Sequence, residues 1–355
     1  MARNEKQTIK VMVVDDSAFM RKVITDILNS DDEIEVIMTA KNGLDAIEKA
    51  RELGPDIITL DVKMPVMDGL DCLRELNRIS SIPVIMLSSV TREGADATIQ
   101  ALADGAIDFV TKPSNIFDMT GEEKKKEIIE KVKIAKSLKS TRNSHQTRKV
   151  EDETLDFNLN EIKNIVAIGT STGGPKALQD VIPMIPQDVE AAFLVVQHMP
   201  PGFTKSLAER LDSMSSVKVK EAENDEVVRN AHVYIAPGDY HMTVEKCCSN
   251  TLRIKLTKDP PVGGHRPSVD VMMESLSATG LRNVVGVIMT GMGGDGSEGV
   301  KKLKSINNAH IIAQDESSCV VFGMPRVAIM SGAVDVVVPL KEITNEIMKI
   351  VGVRK

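Results

Sequence analysis

The chain has 355 residues, 42% of them hydrophobic and 27% charged, with a net charge of −7 at neutral pH. That length predicts two domains, each with its own core, and the composition is that of a globular protein, not a disordered or fibrous one. The negative balance argues against nucleic acid as the main partner, and no run is long and apolar enough for a membrane span. The first ten residues are too polar for a signal peptide. Cys72, Cys247, Cys248 and Cys319 have neither metal-ligand nor disulfide-framework spacing. A cytoplasmic protein is expected.

Short apolar runs at 11–14, 36–39, 57–60, 84–87 and 107–110 alternate with amphipathic stretches. This pattern predicts βαβ units and a parallel sheet, whose sites form beyond the carboxyl ends of the strands. Those ends carry Asp15-Asp16, Asp61, Ser88-Ser89 and Lys112-Pro113. Carboxylates gathered at neighbouring strand ends repel one another unless a cation joins them, and an all-oxygen set suits Mg²⁺. A carboxylate left free of the metal could attack a phosphoryl group, with Lys112 offsetting the charge and Ser88 bonding the product. An acidic helix cap explains Asp16 or Asp61 singly, but not the lysine as well.

As a set, Asp15-Asp16, Asp61 with Met64-Pro65 and Asp68-Gly69, Ser88 and Lys112-Pro113 resemble the signature of response-regulator receiver domains over residues 8–139. The resemblance implies a flavodoxin-like fold with a five-stranded parallel sheet. It makes Asp61 the phospho-acceptor and Asp15, Asp16 and Asp61 the Mg²⁺ site. Ser88 and Phe109 become the switch residues, with Lys112 on the phosphoryl group. Ser88 and Phe109 stand where the family often has threonine and tyrosine.

Residues 121–150 hold ten Lys/Arg against four Asp/Glu. Ile128, Val132, Ala135 and Leu138 fall at helical spacing, so 122–139 reads as the last receiver helix with a solvated basic face. The polar, aperiodic 140–160 reads as a flexible linker. The expected division is thus 1–139, 140–160 and 161–355.

In the second domain, runs at 165–168, 193–196, 233–236, 284–289, 311–313 and 334–338 again alternate with helical stretches, and 242–256 reads as a hairpin around Cys248-Ser249-Asn250. A doubly wound, mostly parallel α/β sheet with a β-hairpin is expected. The first run leads into Gly169-Thr170-Ser171-Thr172-Gly173, the second into Gln197-His198, and the fourth into a glycine-rich turn holding Asp295. Gly-x-Ser-x-Gly after a strand is a nucleophile-elbow pattern; the other readings are a phosphate-cradling turn or a plain βα loop. A serine needs a base, and the base a carboxylate, so Ser171, His198 and Asp295 on one rim form a candidate triad. The order Ser, His, Asp differs from that of α/β-hydrolases.

The segments 168–174, 197–203, 236–239, 265–270, 290–296 and 319–325 together resemble the protein-glutamate methylesterase family of bacterial chemotaxis, CheB. The resemblance covers the whole chain. It implies Ser171 as nucleophile, His198 as base and then acid, Asp295 as orienting carboxylate, and backbone N–H groups near Thr172 and Met292 as oxyanion hole. It further implies methyl-accepting chemoreceptors as substrates, a histidine kinase as phosphodonor, deamidation of receptor glutamines by the same acyl chemistry, and no cofactor for the esterase. The receiver is expected to cover the catalytic rim until Asp61 is phosphorylated. His265 and Arg266 read equally as rim contacts to substrate or as a helix-start loop, and His241 reads as structural. The alternative function is a receiver-linked binding module whose glycine-rich turns hold an anion. A DNA-binding output is disfavoured because 161–355 lacks a helix-turn-helix with a basic recognition helix.

Overall fold

A computed structural model describes residues 8–112, 121–137, 162–248 and 251–352. It divides into two compact units, 1–144 and 145–355. Pro113, the expected linker 140–160 and the hairpin turn at Ser249-Asn250 lie outside the described residues.

The first unit runs β1 (Ile9–Val14), α1 (Ala18–Leu28), β2 (Ile34–Ala40), α2 (Gly43–Leu53), β3 (Ile57–Asp61), α3 (Gly69–Ile79), β4 (Val84–Ser88), α4 (Arg92–Ala103), β5 (Asp108–Thr111) and α5 (Glu122–Ser137). The strands form one sheet in the order β2-β1-β3-β4-β5, all pairs parallel. Helices cover both faces, which is why β3 and β4 read as unbroken apolar runs without alternation. Helix starts follow local chemistry: Asn42, Asp68 and Thr91 each accept a hydrogen bond from the backbone N–H three residues on. Each such cap stabilises by about 1 kcal/mol.

The second unit runs β6 (Asn164–Thr170), α6 (Gly174–Val181), β7 (Ala191–Gln197), α7 (Phe203–Asp212), β8 (Lys218–Glu221), β9 (His232–Ile235), β10 (His241–Cys248), β11 (Thr251–Thr257), α8 (Val269–Ala278), β12 (Val284–Ile288), α9 (Ser297–Asn307), β13 (His310–Gln314), α10 (Met324–Met330), β14 (Val336–Val338) and α11 (Ile343–Val351). Seven strands form one sheet in the order β14-β13-β12-β6-β7-β9-β8. Every pair in it is parallel, where the sequence predicts a mostly parallel sheet. Strands β10 and β11 make a separate antiparallel pair, tied to α8 where Val244 N–H donates to Ser275 Oγ at 3.0 Å. Strand β8 is absent from the sequence reading because Lys218 and Lys220 alternate with Val219 and Glu221 on a four-residue edge strand. An edge strand needs little apolar surface. The centre of the sheet, Ile165 to Ile168 and Phe193 to Val196, is fully buried.

Among the described residues no helix is long and apolar enough to cross a membrane. Both sheets reverse their winding direction once. In the first the reversal falls between β1 and β3, in the second between β6 and β12. The crevice beyond the carboxyl ends of such strands is where open α/β sheets bind ligands.

Candidate active site

In the second sheet, Ser171 follows β6, His198 follows β7 and Asp295 follows β12, so three adjacent strands bring them to one rim. The turn after β6 is fixed from three sides. Ser171 N–H donates to the Thr290 carbonyl at 3.0 Å, its carbonyl accepts from Gly174 N–H at 2.8 Å, and Gln197 Nε2 donates to the same carbonyl at 3.0 Å. Gly173 adopts φ 77°, a left-handed conformation that disfavours a side chain. Gly291 is needed for space, since a Cβ there would lie 2.9 Å from Ser171 Cβ and 2.3 Å from Met324 Sδ. That contact sets the 291–296 turn, including Met292, against the serine. Thr172 sits one residue past Ser171, and its carbonyl accepts from Thr290 Oγ1 at 2.9 Å.

His198 Nε2 lies 2.8 Å from Asp295 Oδ2, with both side chains under 10% exposed (8% and 7%). An ionised carboxylate only accepts hydrogen bonds, so Nε2 carries the proton and Nδ1 keeps its lone pair. That Nδ1 is buried and has no hydrogen-bond partner among the described residues. Asp295 also accepts from Ser268 Oγ at 2.9 Å, Val269 N–H at 2.7 Å and Asp270 N–H at 3.0 Å, at the N-terminus of α8. Burial opposes ionisation of Asp295. The hydrogen bond from His198 and the charge that ring carries when protonated, with the amides of Asp270 and Val269, outweigh it and hold the carboxyl far below the usual range. Asp270 is pushed up, first by burial and then by the charge of Asp295. The arrangement can orient an imidazole and stabilise its cation.

Gln197 and Thr290 are contributors that the sequence reading leaves without a role, and Ser268 one that it reads only as part of a helix start. Gln197 is 2% exposed and links the ends of β6 and β7 through the Ser171 and His198 carbonyls. Ser268 has a legible signal, since a serine before an apolar helix start reads as an N-cap. It accepts from Val271 N–H at 3.4 Å and donates to Asp295. Arg266 braces its own loop. It donates to Asp239 Oδ1 through Nε at 3.1 Å and Nη2 at 2.5 Å, and to the Lys258 and Asp259 carbonyls. His241 is buried against the Pro260 carbonyl, as a structural residue would be.

The first sheet gathers Asp15, Asp16 and Asp61. One ligand oxygen from each lies within 4.8 Å of the others, close enough to share a metal ion. Lys112 Nζ reaches Asp15 Oδ2 at 2.6 Å and Asp61 Oδ2 at 2.7 Å. Burial foremost, then the charges of Asp15 and Asp16, push the Asp61 carboxyl up to about 6 although Lys112 pulls the other way. A site that crowds carboxylates beyond what one lysine offsets fits a small hard cation. Ser88 Oγ donates to the Gly94 carbonyl at 3.0 Å, so here its hydroxyl serves the start of α4. Phe109 is buried at 4% exposure, with Lys131 Nζ 5.2 Å from its ring centroid.

A family model of the response regulator receiver domain matches residues 11–122. The first unit is therefore a response-regulator receiver domain, followed in the chain by a second α/β domain. A model described as CheB methylesterase matches residues 166–347. The chain is 47% identical over 346 residues to the protein-glutamate methylesterase/protein-glutamine glutaminase 1 of Syntrophomonas wolfei, covering 96% of this chain and 98% of that protein. It is 49% identical over 341 residues to the protein of the same activities from Halalkalibacterium halodurans, covering 96% and 98%. The CheB methylesterase catalytic domain of Thermotoga maritima superposes with a TM-score of 0.51 at 44% identity, covering 52% of this chain and 97% of that one. This chain belongs to the CheB methylesterase family.

Proposed function

We propose that this chain hydrolyses methyl esters of glutamate side chains on methyl-accepting chemoreceptors, and deamidates their glutamines, under control of phosphorylation at Asp61. Ser171 Oγ attacks the side-chain carbonyl carbon while His198 Nδ1 takes the hydroxyl proton. Asp295 holds the Nε2–H tautomer and stabilises the imidazolium. Backbone N–H groups near Thr172 and Met292 receive the developing oxyanion. Methanol, or ammonia from a glutamine, leaves with the proton from His198. Water, deprotonated by His198, then cleaves the acyl-serine, and the side chain departs as a carboxylate. The observation that carries this reading is the 2.8 Å His198–Asp295 hydrogen bond, which leaves a buried, unpartnered Nδ1 on the imidazole.

In the receiver, Asp15, Asp16 and Asp61 would hold Mg²⁺, which offsets the charge on the transferred phosphoryl oxygens. Asp61 takes the phosphoryl group from a chemotaxis histidine kinase, Lys112 contacts it, and Ser88 and Phe109 respond. The proposed division into 1–139, 140–160 and 161–355 assigns these roles to separate units joined by a tether. The reading keeps the protein in the cytoplasm, without nucleic-acid contact or membrane insertion.

Methanol release from methylated chemoreceptor membranes tests both halves. Release should rise with a small-molecule phosphodonor and fall roughly 10⁴-fold or more in Ser171→Ala. A Ser171→Ala protein that retains release would end the reading of Ser171 as nucleophile, and no release from folded, phosphorylated wild type would favour the anion-binding module. Release indifferent to the phosphodonor would end the proposed control.

A further inference from the structure

His265 stands outside the three residues assigned to the ester chemistry, yet its ring lies directly on one of them. The His198 and His265 ring centroids are 3.9 Å apart and the planes are inclined by 9°. Two imidazoles that close cannot both be cations without strong repulsion. Burial first, and then the charge of His198, bring the His265 imidazole down to about 4, so it stays neutral near neutral pH.

The ring is held by its backbone. His265 N–H donates to the Val262 carbonyl at 2.9 Å, and Val262 N–H donates back at 3.0 Å. The next residue, Arg266, is clamped to Asp239 and to two carbonyls. Three residues beyond His265, Ser268 begins the set of donors on Asp295. One stretch, 265–270, therefore stacks on the imidazole and solvates the carboxylate that the imidazole meets.

We propose that His265 is a positioning residue for the hydrolysis, its flat, stacked ring keeping His198 in the plane where Nε2 meets Asp295 and Nδ1 is left for Ser171. The proposal rests on the reading of Ser171, His198 and Asp295 given above. The hydrogen bond to Asp295 fixes one atom of the imidazole but leaves the ring free to tilt about that contact. A flat group 3.9 Å from its face removes the tilt. Its neutrality matters too, because His198 becomes positive as Ser171 attacks. A neutral π-face accommodates that cation, whereas a second cation would oppose it.

The test measures kcat and KM for methanol release by the full-length protein carrying His265→Ala, His265→Leu or His265→Phe, beside Ser171→Ala. Loss of the flat face in the Ala and Leu variants should lower kcat roughly 10- to 100-fold with KM unchanged. His265→Phe, which restores a flat neutral ring, should recover most of the wild-type kcat. The leucine variant fills the volume, so it guards against a collapse of the alanine variant being read as loss of positioning. Wild-type kcat in the Ala and Leu variants would overturn the proposal. So would a rise in KM alone, which assigns His265 to substrate binding. A phenylalanine variant as poor as leucine would also overturn it, because the imidazole nitrogens would then be what matters. Release that survives Ser171→Ala would instead overturn the parent reading, and this one with it.

Discussion

At the reversal point of the first sheet, three carboxylates face one another across a single lysine. At that of the second, Asp295 is met by four donors: His198 Nε2, Ser268 Oγ and the amides of Val269 and Asp270. The topological position is the same and the electrostatics are opposite. Asp61 is driven up to about 6, whereas Asp295 is driven far down. The first site carries excess negative charge and gains when a cation or proton arrives. The second has already neutralised its carboxylate by fixed dipoles and needs nothing from outside to stay ionised. A fold supplies the rim, and the donors around each oxygen decide what the rim does.

The sharpest way to break this contrast is Asp295→Asn. The amide keeps the shape but donates where it should accept, which forces the wrong tautomer on His198. A fall in kcat of roughly 10³- to 10⁴-fold is expected in the methanol assay. A loss below tenfold would mean that the buried donors, and not the carboxylate, orient the imidazole.

The next effect belongs to the metal. At a Mg²⁺ concentration about 100 times its Kd, the receiver should gain roughly 2.7 kcal/mol of stability, read as a raised thermal midpoint. Chelation should remove the gain and Asp15→Asn should abolish it, while Asp295→Asn should leave it intact. An equal gain in Asp15→Asn would show that the acidic cluster is not where the ion binds.

The smallest effect is a pH dependence with a definite sign. Asp61 is raised from an ordinary 3.8 to about 6 in the folded protein, so the folded state binds the proton more tightly than the unfolded chain. Its contribution is fully present below about pH 4 and is lost as pH rises through 6. Without metal, Asp61→Asn should therefore be more stable than wild type above pH 6, by roughly 1–3 kcal/mol, with the difference vanishing near pH 4. Denaturant melts at pH 4 and 7 decide the matter. A difference that grows toward acid would put Asp61 among the well-solvated carboxylates instead.

The period of the apolar runs made both sheets legible, and strand ends made the placement of the candidate site residues legible, because a parallel sheet sends those ends to one side. Asp15, Asp61, Lys112, Ser171, His198 and Asp295 were readable in this way. What surrounds them was not. Nothing local in the sequence says that Asp295 will be capped by α8, a helix that starts 26 residues earlier in the chain, or that His265 will lie on His198. Those contacts follow from how the β10–β11 hairpin returns the chain to the rim, a long-range property with no periodic trace. The Ser88 hydroxyl is a similar case: its type suits a phosphoryl contact, but its present partner is the Gly94 carbonyl. Strand β8 escaped because two of its four residues are lysines.

One hydroxyl has a wider reach than its size suggests. Thr290 Oγ1 donates to the Thr172 carbonyl at 2.9 Å and accepts from Val321 N–H at 2.9 Å, pinning the turns after β6 and β13 to the end of β12. Loops joined at a common rivet move together or not at all. The turns after β6, β12 and β13 at this rim therefore shift as one body, and a change at any of them reaches the other two.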